Sequence, residues 1–387
     1  MDTGRNVDYH AGMTRTEKLL AELIALPSVN PAFLPVRHPN AGEKRVGDFL
    51  AATAAHAGLE VEIQTVLPGR ANIIIRLRPA GTVRQTILLA PHLDTVGADN
   101  TCFIPQRKNG RLHGRGACDT KGSVAAMLAA VMELAQSPAR PKETEIVLAG
   151  LIDEEKGQAG SRALAASGFK ADLAIVGEPT RLQVITAHKG SLWLELETKG
   201  KAAHGATPQL GKNAVHSMAR IVDLLETEYV TQLRRRKHKL LGTGTVNVGK
   251  ISGGTQPNIV PDSCVIGVDR RTLPGETEAS IKREITALLS AHKLTATITG
   301  TKAAPCAALE TEAKLPLVRQ FMQALGQTKP TGVHYFCDAS VLSAAGIPSV
   351  VFGPGDIAQA HTVDEWISLA SVERGKDLLV RFLGRLP

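Results

Sequence analysis

The sequence predicts an α/β fold: a mainly parallel sheet covered by helices, interrupted by a smaller inserted α+β unit. Three observations carry this. Short apolar runs rich in β-branched residues alternate with helical patterns in the first half of the chain and return at its end. After Gly190 the pattern changes to strict alternation, and near Lys302 it reverts. Strands alternating with helices imply a parallel sheet buried on both faces, whereas alternation implies a half-exposed antiparallel one.

The elements follow in order. Residues 15–26 have the spacing of an amphipathic helix, and Pro27 stops it. Residues 43–56 read as a second helix. Buried strands are expected at 71–77, 86–90, 145–151, 173–176 and 347–352, each a short apolar run between turn residues. Helical patterns at 123–136 and 161–166 separate several of them. In 191–198, Leu192, Leu194 and Leu196 fall on one side, with Trp193, Glu195 and Glu197 on the other. A long helix at 214–233, strands at 243–251 and 264–271, and a helix at 278–292 complete a ferredoxin-like unit with an open sheet. The expected division is residues 1–187 with 301–387 as one discontinuous domain, and 188–300 as the insertion.

Composition narrows the function. Apolar residues make up 43% of the 387, which is globular rather than disordered. No apolar run approaches the ~20 residues of a membrane span. The opening MDTGRNVDYHAGMTRTEK lacks the apolar core of a secretory signal. Cys102, Cys118, Cys264, Cys306 and Cys337 are scattered and odd in number, as reduced thiols in a cytoplasm are. The net charge of +8 raises a nucleic-acid partner, but aromatics at 3% are too few for a base-stacking platform. The one dense basic run, from Arg234 to Lys239, reads as a solvated stretch after a helix. The expected partner is a small molecule, with no nucleic acid and no membrane.

Metal-capable side chains fall where the strands end. His92 and Asp94 follow one apolar run, Asp153, Glu154 and Glu155 a second, and Glu178 a third, while a fourth leads to His361. Groups converge beyond the carboxyl ends of strands in an open α/β sheet. Taken singly, each has a plainer explanation: a turn histidine, acids at a helix start, or Asp119 as a helix cap. Taken together they do not, because adjacent carboxylates repel unless a cation neutralises them. A dinuclear centre accounts for the set. Carboxylate and imidazole ligands suit zinc, and cobalt and manganese share them. Two ions about 3.5–4 Å apart need a bridging carboxylate and a bridging water, and a further carboxylate to take that water's proton.

The segments HLDTVG, GRGACDTKGSVAAML, DEEKGQAGS, GEPT, HKGS, AAHGATPQLGKNAV, GGTQPNIVP, RRTLPG and GPGDIAQAHTVDE resemble, in this order, those of the M20 metallopeptidase family. The likeness runs from about residue 15 to the carboxyl terminus. It is nearest to the acetylornithine deacetylases and extends to succinyl-diaminopimelate desuccinylase and carboxypeptidase G2; HYFCDAS departs from the desuccinylase pattern. The resemblance implies a metal-dependent hydrolase cleaving the amide of a small N-acyl amino acid. Dipeptidase or carboxypeptidase action is the alternative, and a non-catalytic binding protein is a more remote one. It implies that His92 and Glu178 bind one metal, Glu155 and His361 the other, and that Asp119 bridges them. Asp94 would hydrogen-bond the His92 ring, and Glu154 would be the general base. The insertion would be a lid and dimerisation domain whose His204 acts in the neighbouring subunit. Asn258 and Arg271 would bind substrate, Arg271 through its α-carboxylate. An open edge left by strand 191–198 and its neighbours points the same way, to a homodimer.

Overall fold

Strands Gln85–Pro91, Thr144–Gly150, Leu173–Gly177 and Ser349–Val351 are almost wholly buried. Parallel pairing joins them in the order Thr144–Gly150, Gln85–Pro91, Leu173–Gly177, Ser349–Val351. The computed structural model describes residues 12–300 and 306–387. The segment 1–11, part of the stretch read for a signal, and Lys302 lie outside the described residues. The chain divides into two units. One comprises Met1–Thr186, Thr311–Thr331 and Cys337–Pro387, and the other Ala187–Glu310 with Gly332–Phe336.

In the first unit the parallel strands are the centre of a larger mixed sheet. Arg70–Leu77 adds antiparallel to Thr144–Gly150, and Glu60–Leu67 adds antiparallel beyond it. At the other flank Ile185–His188 pairs antiparallel with Ser349–Val351. The parallel strands are buried on both faces, and only the outermost antiparallel strand, Glu60–Leu67, meets solvent along its length. Glu60–Leu67 was not expected from sequence. It has no apolar run, and its Ile63 is exposed.

Helix Gly122–Ala135 is apolar on nearly every face and correspondingly buried. It packs on the sheet and against helices Arg15–Ala25 and Leu369–Leu383. Its first residue follows directly on the loop that carries Asp119, so core packing fixes that loop from below. Phe321 closes the same core. Its ring lies 5.1 Å from Phe352 in an edge-on arrangement and 4.7 Å from Phe382.

The second unit is built on a four-stranded antiparallel sheet in the order Thr245–Gly253, Ser263–Thr272, Gly190–Lys199, Thr297–Gly300. Leu192, Leu194 and Leu196 are buried against helices Ala214–Leu224 and Glu278–Ala291, while Trp193 is exposed. The expectation about its edge needs correcting. Gly190–Lys199 is paired on both sides, and the long free edge is Thr245–Gly253. Hydrogen-bond pairing decides which strand is outermost, and no periodicity reports it. Among the described residues, no helix is long and apolar enough to cross a membrane.

Replacing Phe321 with alanine removes the hub of the aromatic cluster, and such truncations cost about 3–5 kcal/mol. A clearly lowered thermal midpoint is expected for Phe321→Ala by calorimetry. An unchanged midpoint would mean that this cluster does not hold the first unit together.

Candidate metal centre

Register brings the strand ends together. Pro91 lies opposite Gly177, and a parallel bridge sets His92 beside Leu151. His92, the Asp153–Glu155 turn and Glu178 thus emerge at one edge. Asp119 arrives from another direction. Its loop starts at Gly116, whose φ of 81° is left-handed and favours glycine. The Glu365 carboxylate accepts the N–H groups of Gly116, Cys118 and Asp119 at 2.9, 2.8 and 3.0 Å. Thr120 Oγ1 donates to the Gly177 carbonyl, and Lys121 Nζ to the carbonyls of Leu23 and Leu26. The Asp119–Thr120 peptide is cis.

Two clusters result, and Asp119 belongs to both. His92, Asp119 and Glu178 each offer a ligand atom within 4.8 Å of one another, and so do Asp119, Glu155 and His361. Asp119 Oδ1 lies 3.0 Å from His92 Nε2, while Oδ2 lies 3.3 Å from His361 Nε2. Each oxygen therefore faces a different histidine. His361 Nε2 is also 3.3 Å from Glu155, and His92 Nε2 is 3.9 Å from Glu178.

Electrostatics sorts the acids. Burial raises the carboxyl pKa values of Glu154, Glu155 and Glu178, and the neighbouring carboxylates add to it. Glu155 Oε1 is buried without a hydrogen-bond partner. Asp119 goes the other way. Burial opposes its ionisation, but bonds from His361 and His92 hold its pKa low. In turn Asp119 and Glu155 raise the His361 pKa to about 10. These side chains fit a pair of divalent cations: cations would offset the repulsion and displace the imidazole protons, and nitrogen and carboxylate donors suit zinc.

Asp94 does more than its sequence position suggests. His92 Nδ1 bonds to the Asp94 backbone carbonyl at 3.0 Å, while the nearest carboxylate oxygen is 3.6 Å away. The carboxylate instead accepts the N–H of Glu154 at 3.0 Å and of Glu155 at 3.1 Å. It thereby sets the backbone of both glutamates. Asn30 Nδ2 donates to Asp94 at 2.7 Å and to Asp153 at 3.0 Å. Arg70 spans Asp153 at 3.0 Å and Glu43 at 2.8 and 2.5 Å. Asp153 needs this support, since its φ of 68° is unusual for a residue with a side chain. Sequence reading passed over Asn30, Glu43, Arg70 and Glu365, because side chains up to 250 residues apart meet only in the fold. It also passed over Asp338. That residue accepts from Ser161 Oγ at 2.6 Å, leaves its second oxygen buried and unpaired, and is pushed by burial up to about 6.

The remaining expected residues lie in the second unit. His204 is exposed, and its Nδ1 accepts from the Ala206 N–H at 3.1 Å. Asn258 is exposed, and its carbonyl accepts from the Gly205 N–H. Arg271 is half-buried, with Nε 2.9 Å from Asp269 and its guanidinium 5.8 Å from the Phe336 ring centre.

Residues 88–385 match the model of Peptidase family M20/M25/M40. The chain is 32% identical over 351 residues to an acetylornithine deacetylase of Myxococcus xanthus, covering 86% of this chain and 90% of that protein. In fold it is similar to the aminopeptidase PepT from Bacillus cereus, with a TM-score of 0.75, 22% identity, and 96% and 97% of the two chains covered. It is likewise similar to the YXEP protein of Bacillus subtilis, described as a dinuclear metal binding peptidase, with a TM-score of 0.70, 14% identity, and 96% and 97% covered.

Removing Asn30 leaves Asp94 and Asp153 without their shared donor. Loss of such outer partners lowers metal affinity by about 10–100-fold. Asn30→Ala is therefore expected to bind zinc more weakly in competition with a chromogenic chelator, with an unchanged circular-dichroism spectrum. Wild-type affinity would show that Asn30 does not support the centre.

Proposed function

The chain belongs to peptidase family M20/M25/M40 and is a metal-dependent amidohydrolase; on that premise we propose that it cleaves the amide of a small N-acyl amino acid, as an acetylornithine deacetylase does. His92, Asp119, Glu155, Glu178 and His361 hold two divalent ions, with zinc the first expectation and cobalt or manganese alternatives. The observation that carries this reading is Asp119, whose two oxygens each face a different histidine.

Bound there, the ions supply Lewis acidity and a water acidic enough to attack a carbonyl near neutral pH. The protein's own groups do the rest. Glu154 belongs to neither ligand cluster, and among the described residues its carboxylate meets no hydrogen-bond donor. An unengaged carboxylate held beside the ligands by the Asp94 grip on its backbone is suited to take a proton and return it to the leaving amine. Arg271 commits only Nε to Asp269, so both terminal nitrogens remain for a bidentate hold on the α-carboxylate. Asn258 and His204 bind the substrate carbonyl, His204 from a partner subunit. The free edge at Thr245–Gly253, with Ile251 exposed, supports a homodimer, because long open edges are normally paired or covered. Residues 188–300 then serve as lid and dimerisation domain. Five free cysteines are consistent with a cytoplasmic location.

Glu154→Gln tests the proton transfer. The variant should retain two equivalents of zinc per chain by elemental analysis and lose about 10²–10⁴-fold in kcat on N-acyl amino acids. Near-normal turnover would remove Glu154 as the base. The assembly is tested by mixing His204→Ala with Glu154→Gln chains, each nearly inactive alone. Activity should return when subunits exchange, since one site then has an intact Glu154 and an intact His204. Proven exchange without recovery would exclude action in trans.

A further inference from the structure

The second unit carries a concentration of positive charge that the hydrolytic reading does not use. Lys189 is only 6% exposed. Its N–H bonds to the Val333 carbonyl, which sets it beside His334. The next residues, Gly190 and Ser191, pair with Thr272 and Arg271. Gly190 keeps this junction tight, because a Cβ there would collide with Thr272 Oγ1 and the Cys306 carbonyl. Strand register and close backbone approach thus gather Lys189, His334 and Arg271.

The charges around them are unevenly answered. Arg270 is neutralised by both oxygens of Glu276, at 2.7 and 2.8 Å. Asp269 meets Arg271 through Nε alone. Lys189 and His334 have no acidic partner among the described residues. The consequence is mutual repulsion. Burial lowers the Lys189 pKa, and Arg270 and Arg271 lower it further. His334 is exposed at the mouth of this group, and partial desolvation and Lys189 likewise lower its pKa. A buried ammonium facing other cations is costly unless an anion completes the group.

We propose that Lys189 and His334, beside Arg271, form a second anion subsite, so that the substrate carries a carboxylate besides the one held by Arg271. This rests on the reading of Arg271 as the α-carboxylate clamp. The substrate class is then a dianionic N-acyl amino acid, with the second carboxylate either on the acyl group or on the amino-acid side chain. A cationic side chain such as that of ornithine is disfavoured at this subsite.

The test is calorimetric titration of the zinc-loaded protein with succinate and glutarate, and with their monoamides succinamate and glutaramate. The dianions should bind at least about tenfold tighter. Lys189→Met and His334→Asn should each shrink that difference, and Lys189→Arg should keep it. Equal binding of dianion and monoamide by the unaltered protein overturns the subsite, whatever the variants do. Hydrolysis of N-succinylalanine, N-acetylglutamate and N-acetylornithine locates the second carboxylate: faster N-succinylalanine places it on the acyl group, and faster N-acetylglutamate on the side chain. Faster cleavage of N-acetylornithine, undiminished by acidic competitors, overturns the subsite and leaves the amidohydrolase reading standing. Lys189-dependent dianion binding with no cleavage of any amide supports the subsite and removes the deacylase reading.

Discussion

Repulsion among carboxylates gathered at one edge of a buried sheet is the constraint on which the rest of the first unit depends. The fold answers it in two ways. Glu43, Asp94, Asp153 and Glu365 receive their counter-charge or donors from the protein itself, through Arg70, Asn30, Arg115 and backbone N–H groups. Glu154 has no such donor, Glu155 and Glu178 meet only the nearby histidines, and burial raises the carboxyl pKa of all three.

The turn Asp153–Glu155 shows how closely the two kinds are interleaved. Three consecutive acids have three fates. Asp153 is tied to Asn30 and Arg70 and holds the backbone in its left-handed conformation. Glu154 keeps its carboxylate free of donors. Glu155 points to His361. Asp94 couples them by accepting the N–H groups of both glutamates, so one buried carboxylate sets the spacing between the two side chains. Such over-determination by several bonds is what keeps a catalytic geometry fixed.

The second unit presents the opposite electrostatic problem. Lys189, His334 and Arg271 are brought together by strand register, and only part of their charge is answered within the unit. Positive charge left unanswered in this way favours an anion over a cation beside Lys189. Charge complementarity of this kind selects among substrates more than it adds raw affinity.

The sequence alone determined the α/β class, the inserted α+β unit, the strand ends that carry His92, Glu154, Glu155 and Glu178, and the segments that carry Asp119 and His361. Apolar period and turn residues are local properties, and motif order along the chain carries the rest. It left out the edge strand Glu60–Leu67, which has no apolar run to announce it. The tertiary structure alone decided which strand of the second unit is unpaired, that the Asp94 carboxylate grips the glutamate backbone, and that Asn30, Arg70, Glu43 and Glu365 support the centre. Those facts depend on hydrogen-bond register and on side chains meeting across long stretches of chain, and neither leaves a periodic trace in the order of residues.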